Sequence, residues 1–452
     1  MIQGYPERAS VTPGETLVLH VSTDATRFRV RVARWTDGFR VMHETPWLPG
    51  VPAAPSTPDA DWEWPAYELD VPRNWPSAVY IAQLQEPDTA APLSLVDSSS
   101  MLFVVRGAGE SGLVYKIPLA TYHAYNRTGG GCFYINPPRS QSPPGSKVSL
   151  HRPGGGIGGE GAHGAADYYD ASSTRQTFAH WDARFIRWLV TNGYAPELCT
   201  DFDVHADPQL LDRYRLMISV GHDEYWSEAM REGVERFVAR GGNVAFFSAN
   251  VCWWRIHVID DGTAMVCHQG GPTGKLDQWW PATGVHRPED SVTGVSYRHG
   301  GGWWDGPRRT RGYAVQAPQH WAFAGTGLRA GEYFGSETCP PLVGYECDGA
   351  PLDHFDATTG RARLACECAR CGTPDGFRML AASVLDDAWN ELPERESYAS
   401  TSGVHAAVMG IYSRGGTVFT AGTTDWAQVL VSGQEPRVER ITRNVVERLV
   451  RG

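Results

Sequence analysis

The chemistry-bearing residues of this chain crowd into one turn. A short apolar run, Leu216-Met217-Ile218-Ser219-Val220, ends at Gly221, and His222, Asp223, Glu224, Tyr225 and Trp226 follow before Ser227 opens a helix. A continuous apolar run closed by turn chemistry reads as a strand buried on both faces. Ligands of open α/β sheets bind beyond the carboxyl ends of such strands. The polar and aromatic side chains packed into that exit are therefore a site candidate. The plainer reading is a charged strand-to-helix turn that only caps the residues after Ser227.

The rest of the chain must position that turn. Residues 1–106 read as a small β-sandwich: Thr16–Val21, Phe28–Arg34, Ala78–Leu84 and Met101–Val105 are strand-like runs separated by Gly, Pro and Asp turns. Gly107 to Gly112 is a linker, and residues 107–452 form a second domain with an α/β pattern. Leu113–Leu119 is its first strand, and the Gly- and Pro-rich stretch 136–165 reads as a long active-site loop. That stretch lacks the Lys-Ser/Thr ending of a phosphate loop. Phe178, Trp181, Phe185, Trp188 and Leu189 then line one helix face, which stops at Asn192-Gly193. After the central turn, a helix runs from the Ser227 cap to Arg240, and Asn243–Asn250 is the next strand. Strand, helix and strand in this succession imply a parallel α/β sheet. Residues from about 255 to 345, rich in Trp, Gly and His, interrupt it as an irregular or β insertion. The pattern resumes at Val408–Tyr412 and Thr417–Gly422 and closes with a helix over 436–450.

Composition narrows the function classes. Lys and Arg number 40 against 51 Asp and Glu, a net charge of −11 with no sustained basic run, which argues against nucleic acid or an anionic membrane as partner. No run of apolar residues is long enough for a bilayer-spanning helix. The opening Met1-Ile2-Gln3-Gly4-Tyr5-Pro6-Glu7 lacks a charged region and apolar core, so the expected setting is cytoplasmic. Nine cysteines in such a setting are expected as thiols or metal ligands rather than disulfides. Cys132, Cys199, Cys252 and Cys267 stand alone and read as packing residues. Cys366, Cys368 and Cys371 form a C-x-C-x2-C cluster which, with Cys347, has the ligand count of a structural zinc site. Cys339 is a reserve ligand, and the competing reading is four reduced loop thiols.

Several blocks then coincide. Thr121-Tyr122-His123-Ala124-Tyr125-Asn126, Gly221 to Ser227, Gly241-Gly242-Asn243 to Asn250, and Gly422-Thr423-Thr424-Asp425-Trp426 resemble the C-terminal domain of the N,N-dimethylformamidase catalytic subunit and its relatives. The resemblance covers roughly 113–452. It implies an α/β domain similar to glutamine amidotransferases and hydrolysis of a small amide at a mononuclear iron held by two tyrosines and a glutamate. Glu224 stands at the position of the metal glutamate, and Tyr125 matches one tyrosine. The second tyrosine is expected from the loop between the first strand and the helix, with Tyr168 or Tyr169 best placed. His222 and Asn250 match polar residues lining the site, and Glu346 in Gly344-Tyr345-Glu346 falls in another familial block. Cys347 directly after it departs from the aromatic usual there.

The implied chemistry is coherent. Phenolates and a carboxylate are hard ligands suited to Fe(III), and three protein ligands leave positions open for water and a carbonyl oxygen. His222 or Glu346 would pass a proton to the leaving amine, and Asn250 would donate to the developing oxyanion. The simpler alternatives are a core aromatic for Tyr125, a strand-end turn for Asn250, a backbone partner for His222 and a solvated charge for Glu224. Two rival functions compete with an amidohydrolase. A glutaminase-type enzyme needs a cysteine on the strand elbow, and the central turn has none. A non-catalytic ligand- or carbohydrate-binding protein would use Trp253-Trp254, Trp279-Trp280 and Trp303-Trp304 as stacking surfaces. The expected partners are a small amide substrate and a homo-oligomeric copy or small partner subunit.

Overall fold

In a computed structural model of the chain, described over residues 1–89, 92–135, 147–270, 274–300, 302–365, 371–385 and 404–451, the apolar run is the strand Leu216–His222. It lies inside a nine-stranded sheet, flanked by Leu113–Ile117 and Asn243–Ala249, both parallel to it. Glu197–Thr200 extends the sheet in parallel on one side, and Gly416–Thr420 on the other. The remaining strands, Ala406–Arg414, Arg378–Val384, Tyr313–Val315 and Tyr333–Phe334, are antiparallel. The late part of the chain therefore differs from the expected α/β succession. Ala406–Arg414 and Gly416–Thr420 form a hairpin turning at Gly415, whose φ of +84° suits a residue without a Cβ. The stretch 255–345 is also less separate than its composition suggests, because Tyr313–Val315 and Tyr333–Phe334 complete the edge of the main sheet.

Period-two alternation sorts the strand residues onto two faces. Tyr115, Ile117, Ile218, Val220, Ala245, Phe247 and Phe419 share one core with Phe185 and Leu189 of the helix Asp182–Thr191 and with the helix Pro436–Arg451. Val114, Met217, Val244, Phe246 and Val418 share the other with Met230, Val234 and Phe237 of the helix Glu228–Ala239. The last helix buries Val438, Ile441, Val445, Val446 and Leu449, the stripe that its sequence spacing requires. Each such side chain contributes roughly 1.5–3 kcal/mol by leaving water.

The first 105 residues form two sheets. One has three strands in the order Ile2–Pro6, Thr16–Thr23, Ala66–Asp70. The other is built on Ser100–Val105, Ala78–Gln85, Arg27–Trp35 and Phe39–Glu44. Ala78, Tyr80, Ala82, Met101, Phe103 and Val105 face the core between these sheets. Their neighbours Val79, Ile81, Leu102 and Val104 point the other way, into the core of the α/β part.

What fixes the end of the central strand is a buried ion pair. Lys116 Nζ lies 2.8 and 2.7 Å from the two carboxylate oxygens of Asp223, and both side chains are buried. Burial alone would lower the lysine pKa, but the Asp223 charge outweighs it and holds the ammonium above its usual value. Ser219 Oγ donates to Asp223 Oδ2 at 2.5 Å, and Trp226 Nε1 donates to Asp223 Oδ1 at 2.9 Å. The Lys116 ammonium also sits 4.8 Å from the centre of the Trp226 ring. Gly221 must be glycine: its φ is +73°, and a Cβ would stand 2.6 Å from the Trp181 ring.

Removing one partner of a buried pair strands the other charge, at a cost of about 3–5 kcal/mol. Lys116→Met should therefore lower unfolding stability by that amount in urea titration. The double variant Lys116→Met, Asp223→Leu should recover a large part of the loss.

Candidate active site

Asp223 is held by Lys116 beneath the end of the sheet, while its neighbours His222 and Glu224 meet a different set of partners. The Glu224 backbone is held by Thr121, whose Oγ1 accepts from Glu224 N at 2.9 Å and from Tyr225 N at 3.3 Å. Thr121 and Tyr125 lie one turn apart on the helix Leu119–Tyr125, so the helix that fastens Glu224 also delivers a phenol to it. Tyr125 OH donates to Glu224 Oε2 at 2.8 Å.

A second phenol completes the group. Tyr134 OH lies 3.0 Å from Tyr125 OH and 3.2 and 3.3 Å from the two Glu224 oxygens. The chain reverses after Tyr125 through Gly129 and Gly130, both at positive φ, and Phe133 N returns to bond Ala124 O at 3.1 Å. Tyr134 belongs to the loop expected to supply a second tyrosine, but it is not the residue expected. The structure does not bring Tyr168 to the carboxylate. Its ring is 61 % exposed and packs edge-on against Tyr169, whose hydroxyl accepts from Arg308 N at 2.7 Å. Tyr134, 38 % exposed, stands at the lip of the site with its ring stacked on His163.

His222 faces the same group. Its Nε2 is 2.8 Å from Glu346 Oε2 and 3.3 Å from Glu224 Oε2, and its Nδ1 is 2.9 Å from Gln176 Oε1. Gln176 is buried at a φ of +62°, and no sequence signal singled it out. Its carbonyl holds the Nδ1 proton, which leaves Nε2 to the carboxylates. Burial would push the imidazole pKa down, but Glu346 and Glu224 outweigh it, so His222 keeps its proton more tightly than a free histidine. Burial pushes the Glu224 carboxyl up to about 7 against the opposing pull of His222. The Tyr125 phenol is raised well above its usual range, by burial first and then by the Glu224 charge.

Glu346 owes its place to the Gly422–Trp426 block. Gly344 N donates to Thr423 Oγ1 at 2.8 Å, and Glu346 N donates to Thr424 Oγ1 at 3.2 Å. Asn250 Nδ2 lies 3.0 Å from Glu346 Oε2 and 3.2 Å from His222 Nε2, while its own backbone N–H bonds Asp348 Oδ1 at 2.9 Å. Its φ of +50° is a left-handed turn that asparagine tolerates.

Tyr125, Tyr134, Glu224, Asn250 and Glu346 open onto a cavity of about 580 Å³ walled by Trp253, Trp254, Tyr297, Trp303 and Tyr345, with His222 buried behind the carboxylates. The tryptophan pairs divide their roles. Trp303 lines the cavity while Trp304 packs in the main core. Trp279 is fully buried under Arg231 and Arg287, and Trp280 packs with Trp253 and Tyr297. Of the cysteine set, Cys366 and Cys368 lie outside the described residues. Cys347 is fully buried with its Sγ on Gly344 O, and burial, with Asp425 and Asp348 nearby, holds its thiol well above the usual range. Cys371 is half-buried, and its carbonyl accepts from Arg298. Among the described residues no helix is long and apolar enough to cross a membrane.

Comparison with known proteins bears on the family of the chain as a whole. The chain is 24 % identical over 302 residues to the N,N-dimethylformamidase beta subunit of Paracoccus aminophilus, a match covering 60 % of this chain and 36 % of that relative. The beta subunit of the same name from an Alcaligenes species matches at 24 % over 302 residues, with the same coverage. This chain thus spans little more than a third of the curated relatives it matches, and those relatives are named as subunits. Residues 27–438 match the family described as N,N-dimethylformamidase beta subunit-like, C-terminal, and with nearly the whole chain inside that match, the protein belongs to this family.

Proposed function

We propose that the protein hydrolyses the C–N bond of a small amide with the help of one iron ion held by Tyr125, Tyr134 and Glu224. The observation that carries this reading is the convergence of three oxygen side chains from different parts of the chain. Their separations of 2.8, 3.0, 3.2 and 3.3 Å suit donors sharing one ion. Ligands bonded at about 2 Å stand roughly 2.8–3.3 Å apart around one centre. The donor chemistry fits as well: two phenolates and a carboxylate carry three negative charges, which a ferric ion would balance. Burial raises the pKa of all three groups, and a bound cation would oppose that rise. When bound, the iron would supply Lewis acidity toward an amide carbonyl and acidify water.

The chain's own residues supply the rest. His222, with Nδ1 fixed by Gln176, presents the Nε2 proton toward the cavity side of Glu224 and Glu346 and gives it to the departing amine nitrogen. Glu346 stabilises the imidazolium before that transfer and takes part in restoring it afterwards. Asn250 gives one amide N–H to Glu346 and so orients that carboxylate beside His222; its amide carries a second N–H. That second N–H is the donor to a developing oxyanion in this reading. The walls Trp253, Trp303 and Tyr345 exclude water and favour a small, weakly polar substrate.

Iron-replete protein should carry about one iron per chain and absorb in the visible through phenolate-to-iron charge transfer. Colourless, iron-free protein would overturn the metal assignment. Glu224→Ala should lose iron and colour together. His222→Ala should keep both and lose roughly 10²–10⁴-fold in turnover with N,N-dimethylformamide as the probe.

The two candidate tyrosines give a separate check. Tyr134→Phe should bleach or strongly shift the visible band, and Tyr168→Phe should leave it unchanged, as read by absorption and resonance Raman spectroscopy. The opposite pattern would return the second ligand to Tyr168.

A further inference from the structure

A second constellation lies on the wall of the same cavity. The strands Trp254–Ile259 and Ala264–Val266 form an antiparallel hairpin in which His257 pairs with Val266. The chain then returns, with Gln269 bridged to Leu276 and Asp277 N bonded to His268 O at 2.7 Å. This brings His257 Nε2 to 3.2 and 3.3 Å from the Asp277 oxygens and His268 Nδ1 to 2.8 Å from Oδ2. One donor atom from each of the three residues lies within 4.8 Å of the others.

Several features separate this group from a plain hydrogen-bonded histidine. Asp277 is buried, and Arg255 clamps its Oδ1 from Nε at 3.1 Å and Nη2 at 2.9 Å, so the carboxylate is oriented from behind as metal-bound carboxylates are. Two imidazoles from separate segments converge on its front. Their side chains are 40 % and 22 % exposed, which leaves the outer face open to solvent ligands. Two nitrogens and one carboxylate with open positions suit zinc or a neighbouring divalent first-row ion rather than calcium or magnesium.

We propose that His257, His268 and Asp277 form a divalent transition-metal site, distinct from the Tyr125–Tyr134–Glu224 group, that pins one wall of the cavity. Gln269 and Gln278, adjacent in sequence to His268 and Asp277, line that cavity. Gln269 Nε2 donates to Tyr225 OH at 3.0 Å, and Tyr225 OH shares a hydrogen bond with Tyr134 OH. An ion on the hairpin would thus stiffen the wall that supports Tyr134. The proposal does not depend on the iron reading.

The test uses the full chain freed of metal by chelator, then titrated with zinc alone and read by calorimetry and elemental analysis after desalting. Wild type should bind one zinc equivalent that His257→Ala and His268→Asn each weaken at least about 100-fold, while Glu224→Gln retains it. Zinc should raise the melting temperature of wild type and Glu224→Gln but not of either histidine variant. Using two histidine variants keeps the test open if one fails to fold. Equal zinc uptake by wild type and a folded histidine variant would overturn the proposal, leaving the rings as hydrogen-bond partners of Asp277. Loss of the histidine-dependent equivalent in Glu224→Gln would also overturn it, by moving that ion to the tyrosine–glutamate group.

Discussion

The Lys116–Asp223 ion pair is the constraint on which the candidate site rests. Asp223 lies between His222 and Glu224 in sequence, in the turn that follows the central strand. With Asp223 tied to Lys116, the turn is anchored between His222, whose Nε2 meets Glu346, and Glu224, which meets Tyr125. Ser219 and Trp226 fill the remaining bonds of the carboxylate, so the pair is both charge-balanced and satisfied. A buried pair of this kind is a weak source of stability compared with a well-packed apolar substitute. Here its value is in position: a hidden ion pair anchors the turn between two groups of the candidate site.

The layers around the site have separable jobs. Thr121 ties the turn to the helix that carries Tyr125, and the Thr423–Thr424 hydroxyls hold the Gly344–Glu346 segment against the end of the sheet. Gln176 and Asn250 both sit at positive φ and both bond to functional side chains rather than to backbone acceptors. Backbone in that region is costly for most residues and collects where the surrounding structure fixes it at functional sites.

Much of this was legible in the sequence because it follows from local rules. The apolar run, the Gly221 exit and the Ser227 cap placed the central turn, and Ser227 Oγ does accept from Met230 N at 3.1 Å. His222, Glu224, Tyr125, Asn250 and Glu346 stand out from the turn and from familial blocks, and the structure gathers them: four line one cavity, and His222 lies behind them against Glu224 and Glu346. Tyr134 and Gln176 were not legible, since a chain reversal through glycines and a left-handed glutamine leave no periodic trace. A phenol nine residues from Tyr125 across a glycine run was the available clue. The antiparallel half of the sheet was missed for a related reason: a hairpin turning on Gly415 and a strand-to-helix stop can begin with the same residues.

The sheet of the N-terminal part that carries Ala78–Gln85 has no solvent face along its centre. Tyr80 and Ala82 belong to one hydrophobic core and Val79 and Ile81 to another, while Trp35 Nε1 and Ser77 Oγ reach Ala183 O and Leu198 N across the junction. The change in architecture near residue 106 is thus a boundary of topology but not of cohesion. The amino-terminal sandwich is in effect a load-sharing wall of the α/β half: one layer of backbone separates its own core from the core shared with the strand that ends at His222.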